Sequence, residues 1–337
     1  MSLDDFLAEW NNAADTVLVH TSGSTGAPKP MRVEKRRMEA SARITCNFLG
    51  LKPGHTALLC LPLDYIAGKM MVVRALTCNL RLISIEPTGH PCLSISENID
   101  FAAMTPMQVY NSLQTNEERR RLESIRHLII GGGAVNDRLA AELRGFPNNV
   151  WSTYGMTETL SHIALRRISG SGATDWYTPF NTVRVSLNGD GCLVIDAPEV
   201  CANTLVTNDL AEISADGRFR IIGRRDNVIC SGGIKIQIEE VERELAKHTD
   251  IPLIITKFPD ERLGECVVLL TESPDTDTLR QICTEHLQRY WRPRHYLTVS
   301  KLPTTATGKP ARSEAQHLAA EILENQAKTT NKNCRNV

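Results

Sequence analysis

The chain has 337 residues, 42% hydrophobic, 23% charged and 5% aromatic, with 38 Lys+Arg against 39 Asp+Glu and a formal net charge of -1. At roughly 150 residues per domain, that length holds about two domains. The balance excludes the global basic field of a non-specific nucleic-acid binder and the acidic character of a solvated, disordered chain.

Ten cysteines, none at CxxC spacing, are too sparse for a disulfide scaffold and give no zinc signature. They read as reduced, mostly buried thiols. The start, Met1-Ser2-Leu3-Asp4-Asp5, is acidic where a secretory signal is basic. No apolar run reaches ~18 residues, because Lys69 and Arg74 interrupt the best candidate around Met70–Val73. The expected location is cytoplasmic, with no membrane span.

In chain order, Thr16–His20 is a short β-branched run that reads as a buried strand. It leads into Thr21-Ser22-Gly23-Ser24-Thr25-Gly26-Ala27-Pro28-Lys29. Residues 34–49 follow as a helix, with Met38, Ala42 and Cys46 four apart. Strands are expected at 57–61, 80–85 and 128–130, and helices at 69–77, 105–113 and 136–143. That alternation predicts an α/β domain with a largely parallel sheet. Beyond Tyr177 the texture changes. Short strands at 183–187, 192–195, 211–214 and 219–222, broken by Asn188-Gly189-Asp190-Gly191 and Ala215-Asp216-Gly217, predict a small antiparallel β subdomain. After the break at Gly223–Asn227 come helices at 238–247, 276–289 and 313–323, with strands at 253–256, 266–271 and 296–300. These predict a small α+β domain. The expected division is therefore residues 1–225, a mobile domain at 226–325 and a frayed tail at 326–337.

Four segments can carry chemistry. The loop 22–29 lies between a strand and a helix. Its glycines let backbone N–H groups approach an anion, and Lys29 adds a mobile charge. It lacks the Walker A spacing, and alone it serves equally as a surface turn. Tyr154-Gly155-Met156-Thr157-Glu158 offers an aromatic face, a hydroxyl and a hard oxygen ligand. Alone it also suits a capped helix start. Gly232-Gly233, just after the domain break, suits either a linker or a backbone passing close to a ligand. Lys309 follows Ala306-Thr307-Gly308 and, in isolation, reads as a surface lysine.

Together and in this order, these segments resemble the adenylate-forming superfamily of acyl-CoA ligases, peptide-synthetase adenylation domains and luciferases. The matching pieces are TSGSTGAPK at 21–29, YGMTE at 154–158, Asp209, GRRDNVICSGGIKI at 223–236 and TGK at 307–309. The resemblance implies that a carboxylate attacks MgATP to give an acyl-adenylate, and that a thiol, usually of coenzyme A, then displaces AMP. It implies that Ser22 to Lys29, with Thr21, Thr157 and Gly155 close by, hold the phosphates, and that Glu158 holds Mg²⁺. Tyr154 would stack on adenine, with Gly131, Gly132, Gly133 and Ala134 along its edge. Asp209 and Arg224 would hold the ribose, and Lys309 would bridge carboxylate and α-phosphate. Asp226 would be the hinge, and Gly232-Gly233 would line the pantetheine path.

Only 20 residues precede Thr21, so the N-terminal domain is expected to be truncated at its start. That shortness, Thr105-Pro106 and the run 223–242 look most like the compact o-succinylbenzoate–CoA ligases of menaquinone biosynthesis. After Leu61-Pro62-Leu63 the aromatic-His pair common in them is replaced by Asp64-Tyr65, which makes Tyr65 the stand-in. The second carboxylate of such an acid needs a cation or donors. Lys69, Ser161 and His162 are the candidates. The alternatives are a ligase for another aryl or short acyl acid, or a carrier-loading or non-catalytic adenylation module. The sequence leaves the oligomeric state open, a homo-oligomer included.

Overall fold

The computed structural model describes residues 1–20, 30–305 and 309–334. The chain divides into two compact units, Met1–Thr207 with Ala211–Arg220, and Asn208–Leu210 with Ile221–Val337. The first unit begins with helix α1 (Leu3–Asn11), capped by Ser2, then β1 (Thr16–His20) and β2 (Pro30–Glu34). β1 and β2 pair antiparallel from Thr16↔Glu34 to His20↔Pro30. The sequence reading missed both α1 and β2.

Helix α2 (Lys35–Leu49) ends at Gly50 in a left-handed cap. Then come β3 (Thr56–Leu59), α3 (Ile66–Cys78), β4 (Arg81–Ser84), β5 (Phe101–Met104), α4 (Pro106–Ser112), α5 (Asn116–Ser124), β6 (His127–Ile130), α6 (Asp137–Leu143), β7 (Asn149–Gly155), β8 (His162–Arg167) and β9 (Thr178–Pro179). They build a seven-stranded sheet in the order β4-β3-β5-β6-β7-β8-β9. Pairing is parallel from β4 through β7 and antiparallel beyond. β3, β5 and β6 are buried at every position, as strands covered by helices on both faces must be. One core packs Leu58, Ala102, Met104, Leu128 and Ile130 from these strands against Val109, Leu122, Leu139 and Leu143 from the helices. Thr105 caps α4 reciprocally with Gln108 and has Pro106 behind it, which fixes where β5 ends and the helix begins.

β10 (Arg184–Leu187), β11 (Cys192–Asp196), β12 (Leu205–Ile213) and β13 (Phe219–Arg224) form a separate four-stranded sheet in that order. β12 is longer than expected, starting at Leu205 rather than Ala211.

The second unit holds β14 (Val228–Ser231), β15 (Ile234–Gln237), α7 (Ile238–Leu245), β16 (Leu253–Asp260), β17 (Gly264–Thr271), α8 (Thr276–His286), β18 (His295–Thr298) and α9 (Arg312–Cys334). Side chains of β16 and β17 alternate between two cores. Ile255, Val267 and Leu269 pack with α7 and α8, while Ile254, Cys266, Val268 and Leu270 pack with Ala315, Ala319 and Leu323 of α9. α9 is helical through Cys334, past the point where the sequence predicted its end. The nine cysteines whose side chains are described are free, and six of them are buried.

Candidate active site

In an open α/β sheet, ligands gather beyond the carboxyl ends of the parallel strands. Thr105 follows β5, Gly131–Ala134 follow β6, and Tyr154–Glu158 end or follow β7; these three strands are neighbours. The loops meet closely. A Cβ on Gly131 would stand 2.5 Å from Thr153 Oγ1, and one on Gly132, which has φ +77°, would meet Thr105 Cγ2 at 3.9 Å. Gly155 admits no side chain: its Cβ would lie 2.3 Å from Ser161 O and 2.5 Å from His162 Cα. The β7–β8 ladder shifts register at this point.

Tyr154 is half-buried, its ring edge-on to Phe219 at 5.1 Å and tilted to Tyr177 at 5.8 Å. Thr157 opens a single 3₁₀ turn, Thr157–Thr159, and is buried, not the cap of an α-helix. Thr159 Oγ1 accepts from the Met156 amide at 3.0 Å, which closes the turn. Leu160 then takes φ +65° while buried, a strained state for a branched side chain that the surrounding packing enforces. Glu158 is exposed on this turn, with no ion-pair partner among the described residues. Mg²⁺ keeps several waters and leans on substrate phosphates, so one free carboxylate fits it. No three-residue cluster of metal ligands exists among the described residues. Thr21, Ser22, Gly23, Ser24, Thr25, Gly26 and Lys29 lie outside the described residues.

The expected acyl-site donors need correction. Lys69 is 2% exposed. Its ammonium donates to Leu18 O at 2.7 Å, pairs with Glu9 at 3.6 Å and lies 5.4 Å from the Phe6 ring centre. It ties α3 to α1 and β1, and is neither a solvated lysine nor a free pocket cation. Ser161 and His162 are spent in a buried relay. Thr45 Oγ1 donates to Ser41 O at 3.1 Å, so it accepts from His162 Nε2–H, also at 3.1 Å. His162 Nδ1 is then an acceptor, taking the Ser161 hydroxyl at 3.1 Å, and Ser161 Oγ accepts from Arg74 Nη2 at 2.6 Å. Burial, followed by the Arg74 charge, holds His162 well below its ordinary pKa, so the ring is neutral. Tyr65 is half-buried at the N-cap of α3.

The relay points to a residue the sequence reading passed over. Arg74 is 2% exposed. Among the described residues it reaches, beyond Ser161, only Met71 Sδ at 3.8 Å and the Phe101 ring at 6.0 Å, and its Nε has no partner there. Burial pushes its pKa down to about 10. A buried guanidinium without a carboxylate is costly and calls for an anion. The signal was a lone arginine within the apolar run Met70–Ala75, read only as a break in hydropathy.

The second unit brings together Asp209, Arg224, Asp226 and Lys309. Arg224 donates to Asp209 Oδ1 at 3.0 Å and grips Asp226 through two bonds of 3.1 and 3.0 Å. Gln237 Nε2 donates to Arg224 O at 2.8 Å. Lys309 sits where Thr305 N donates to its carbonyl at 2.7 Å and its own N–H reaches Thr305 Oγ1 at 3.1 Å. Burial, then Arg224, lower its pKa from the ordinary lysine value, and Asp209 opposes. Lys309 is thus half-buried beside two charges rather than the surface lysine that its loop suggests in isolation. Gly232 and Gly233 form the β14–β15 turn with φ +58° and +82°.

Residues 5–199 match the AMP-binding enzyme family. A solved acyl-CoA synthetase (AMP-forming)/AMP-acid ligase II-like protein from Dyadobacter fermentans DSM 18053 is 34% identical over 92% of this chain and 91% of that one, with a TM-score of 0.63. The 2-succinylbenzoate–CoA ligase of Bacillus subtilis (strain 168) is 26% identical over 89% of this chain and 68% of its own. The O-succinylbenzoate coenzyme A synthetase from Bacillus subtilis, solved with ATP and magnesium ion, is 24% identical over 88% of this chain and 69% of that one, with a TM-score of 0.75. That last likeness shows the fold.

Proposed function

The chain belongs to the AMP-binding enzyme family, and from that premise we propose that it is an ATP-dependent carboxylate–CoA ligase acting on 2-succinylbenzoate. The observation that carries the chemistry is the convergence of the loops after β5, β6 and β7 at one end of the parallel sheet. In-line attack of a carboxylate on a phosphate needs positioning and charge neutralisation more than covalent help. In this reading Tyr154 stacks on adenine beside Gly132, Gly133 and Ala134, and Thr157 hydrogen-bonds a phosphate. Residues 21–29 hold the β- and γ-phosphates. Glu158 would hold the Mg²⁺ that accompanies ATP, and the ion would supply charge neutralisation at the phosphates. Asp209 and Arg224 hold the ribose hydroxyls. Lys309 neutralises charge where carboxylate oxygen and α-phosphate meet, and pyrophosphate leaves. The CoA thiol then attacks the acyl carbon, and AMP leaves. Asp226 is the hinge on which the C-terminal unit turns between steps.

The acid is argued from two supports. Curated relatives at 23–27% identity carry the name 2-succinylbenzoate–CoA ligase. Arg74 also supplies what the second carboxylate of a dianion requires, a desolvated cation with an unused donor. The test is steady-state pyrophosphate release in wild type and in Arg74→Met. The variant is expected to raise KM for 2-succinylbenzoate by about tenfold or more while changing that for benzoate little, since benzoate has no second carboxylate. Equal effects on both acids, or a wild type that prefers benzoate, overturns the substrate and leaves the ligase chemistry standing.

A further inference from the structure

Strand β8 runs antiparallel to β7, which sets Arg166 across from Ser152 and Arg167 across from Trp151. The end of β8 therefore lies beside the start of β7, away from the turn that carries Glu158. A cleft opens there between α6 and the segment 173–175, with Ala140, Arg144, Arg166, Ile168, Thr174 and Asp175 in its lining. With its open mouth it measures about 210 Å³, smaller than the ~300–1,000 Å³ of pockets that enclose drug-sized ligands. The segment that walls it is tied down at both ends. Gly170 N–H donates to Arg144 O at 2.9 Å, and Thr174 N–H donates to Arg167 O at 3.0 Å.

Three arginines line this cleft against one carboxylate. The Arg166 side chain is only 13% exposed, and its Nη1 reaches Asp175 Oδ1 at 3.4 Å, long for a charge-assisted bond, while Asp175 is 76% exposed. Arg166 Nε is buried and has no hydrogen-bond partner among the described residues. The Tyr177 ring, whose hydroxyl is 3.0 Å from Ser152 Oγ, lies 5.5 Å from the Arg166 guanidinium and holds it at the cleft. Arg144 is exposed and has no ion-pair partner among the described residues. Arg167 donates from Nε to Ser169 O at 2.9 Å and lies 4.9 Å from the Trp151 ring, so it adds charge from the far side. Thr174 Oγ1 accepts from the Trp176 amide at 3.2 Å, which leaves its hydroxyl proton free to donate.

Desolvating a guanidinium is costly, and a bound anion offsets that cost. The donors come from α6, from β8 and from the segment 173–175, and so from three directions. A tetrahedral oxyanion offers an oxygen to each, whereas a planar carboxylate offers two. Arginine forks also match phosphate oxygens in pairs. We propose that this cleft is a phosphate-binding site, apart from the loops that gather beyond β5, β6 and β7. The oxyanion contacts Arg144, Arg166 and Thr174, and Asp175 yields Arg166 to it. The size of the cleft restricts the ligand to free phosphate or to the phosphoryl group of a small molecule.

The experiment is a calorimetric titration with inorganic phosphate at constant ionic strength, on wild type, Arg144→Ala and Asp175→Asn. Both replaced side chains are exposed, so neither variant loses core packing. Arg144→Ala is expected to raise Kd about tenfold, because a charge-assisted donor is gone. Asp175→Asn is expected to lower Kd about threefold, because the competing carboxylate loses its charge. Phosphate bound elsewhere on the chain, at residues 21–29 included, responds to neither substitution. An unchanged Kd in both variants therefore overturns the proposal, and so does a wild type that binds no phosphate. A raised Kd in Arg144→Ala with no change in Asp175→Asn supports the site and removes Asp175 from it. Glycerol 3-phosphate titrated in parallel separates the two sources. Binding of both ligands assigns the phosphoryl group of a small molecule, and binding of phosphate alone assigns the free ion. Acetate that binds as tightly as phosphate overturns the choice of a tetrahedral oxyanion.

Discussion

Lys69 and Arg74 lie on the same helix five residues apart, are equally buried, and have opposite fates. The Lys69 ammonium is satisfied by Leu18 O and Glu9. Lys69→Met leaves a buried carbonyl and carboxylate without their cation. It is expected to cost about 2 kcal/mol of stability, read as a lowered Tm, with KM for the acid unchanged. A raised KM with wild-type Tm would restore Lys69 to the pocket.

Lys309 is the other residue whose protonation matters. In the proposed reaction it acts as a cation, and its pKa is lowered by burial and by Arg224. The rate of adenylate formation should therefore fall on the alkaline side at a pH below the ~10.4 of an ordinary lysine. Lys309→Ala should reduce that step by about 10²–10³ while sparing transfer from a supplied acyl-adenylate. Equal loss in both steps would make Lys309 a structural residue.

Among the elements, α9 depends on one contact at its start. Arg312 binds Glu242 of α7 through two bonds of 2.6 Å and also reaches Ile255 O at 3.2 Å. Glu242 Oε1 in turn accepts from Ile255 N at 2.9 Å. Arg312→Ala is expected to destabilise the C-terminal unit by about 2 kcal/mol, measured by thermal or urea unfolding. An unchanged midpoint would mean that apolar packing of Ala315, Ala319 and Leu323 alone seats the helix. Elements of this kind were legible where pattern and composition agree. The buried runs of β3 and β6, the periodic face of α2 and the turn at Asn188–Gly191 all appear close to their expected places. β2 was not legible, because Pro30-Met31-Arg32-Val33-Glu34 has little of its own pattern and is a strand through pairing with β1. Nor was the relay legible. Thr45, Arg74 and His162 are far apart in sequence, and only the packing of α2, α3 and β8 joins them. The motif loops were legible because each needs its residue types in consecutive positions. Arg74 and Ser161 meet from separate elements, so no run of consecutive residues marked the pair.

At the scale of the whole molecule, pH acts on stability through His127, His162 and His295, all held below the ordinary histidine value chiefly by burial. Burial, then Arg126 and Arg167, lower His127 to about 4, and burial and Arg74 hold His162 well below 6.5. A histidine whose folded pKa lies below its unfolded value takes its proton first in the unfolded chain. Its contribution is fully present above the unfolded value of ~6.5 and is lost as pH falls toward the folded value. Tm should therefore drop as pH falls from about 6.5 toward 4. His127→Gln should flatten part of that slope, and a slope identical to wild type would remove His127 from the account. No helix among the described residues is long and apolar enough to cross a membrane.

The central claim is that one active site runs two reactions in order, adenylation and then thioester formation. The direct measurement incubates wild-type protein with ATP, Mg²⁺ and 2-succinylbenzoate, first without CoA and then with it, and follows the nucleotide and the acyl group separately. The expected result is pyrophosphate and an enzyme-bound acyl-adenylate before CoA is added, then AMP and the acyl-CoA thioester afterwards. ADP and inorganic phosphate in place of AMP and pyrophosphate, or no pyrophosphate with any carboxylic acid, would contradict it.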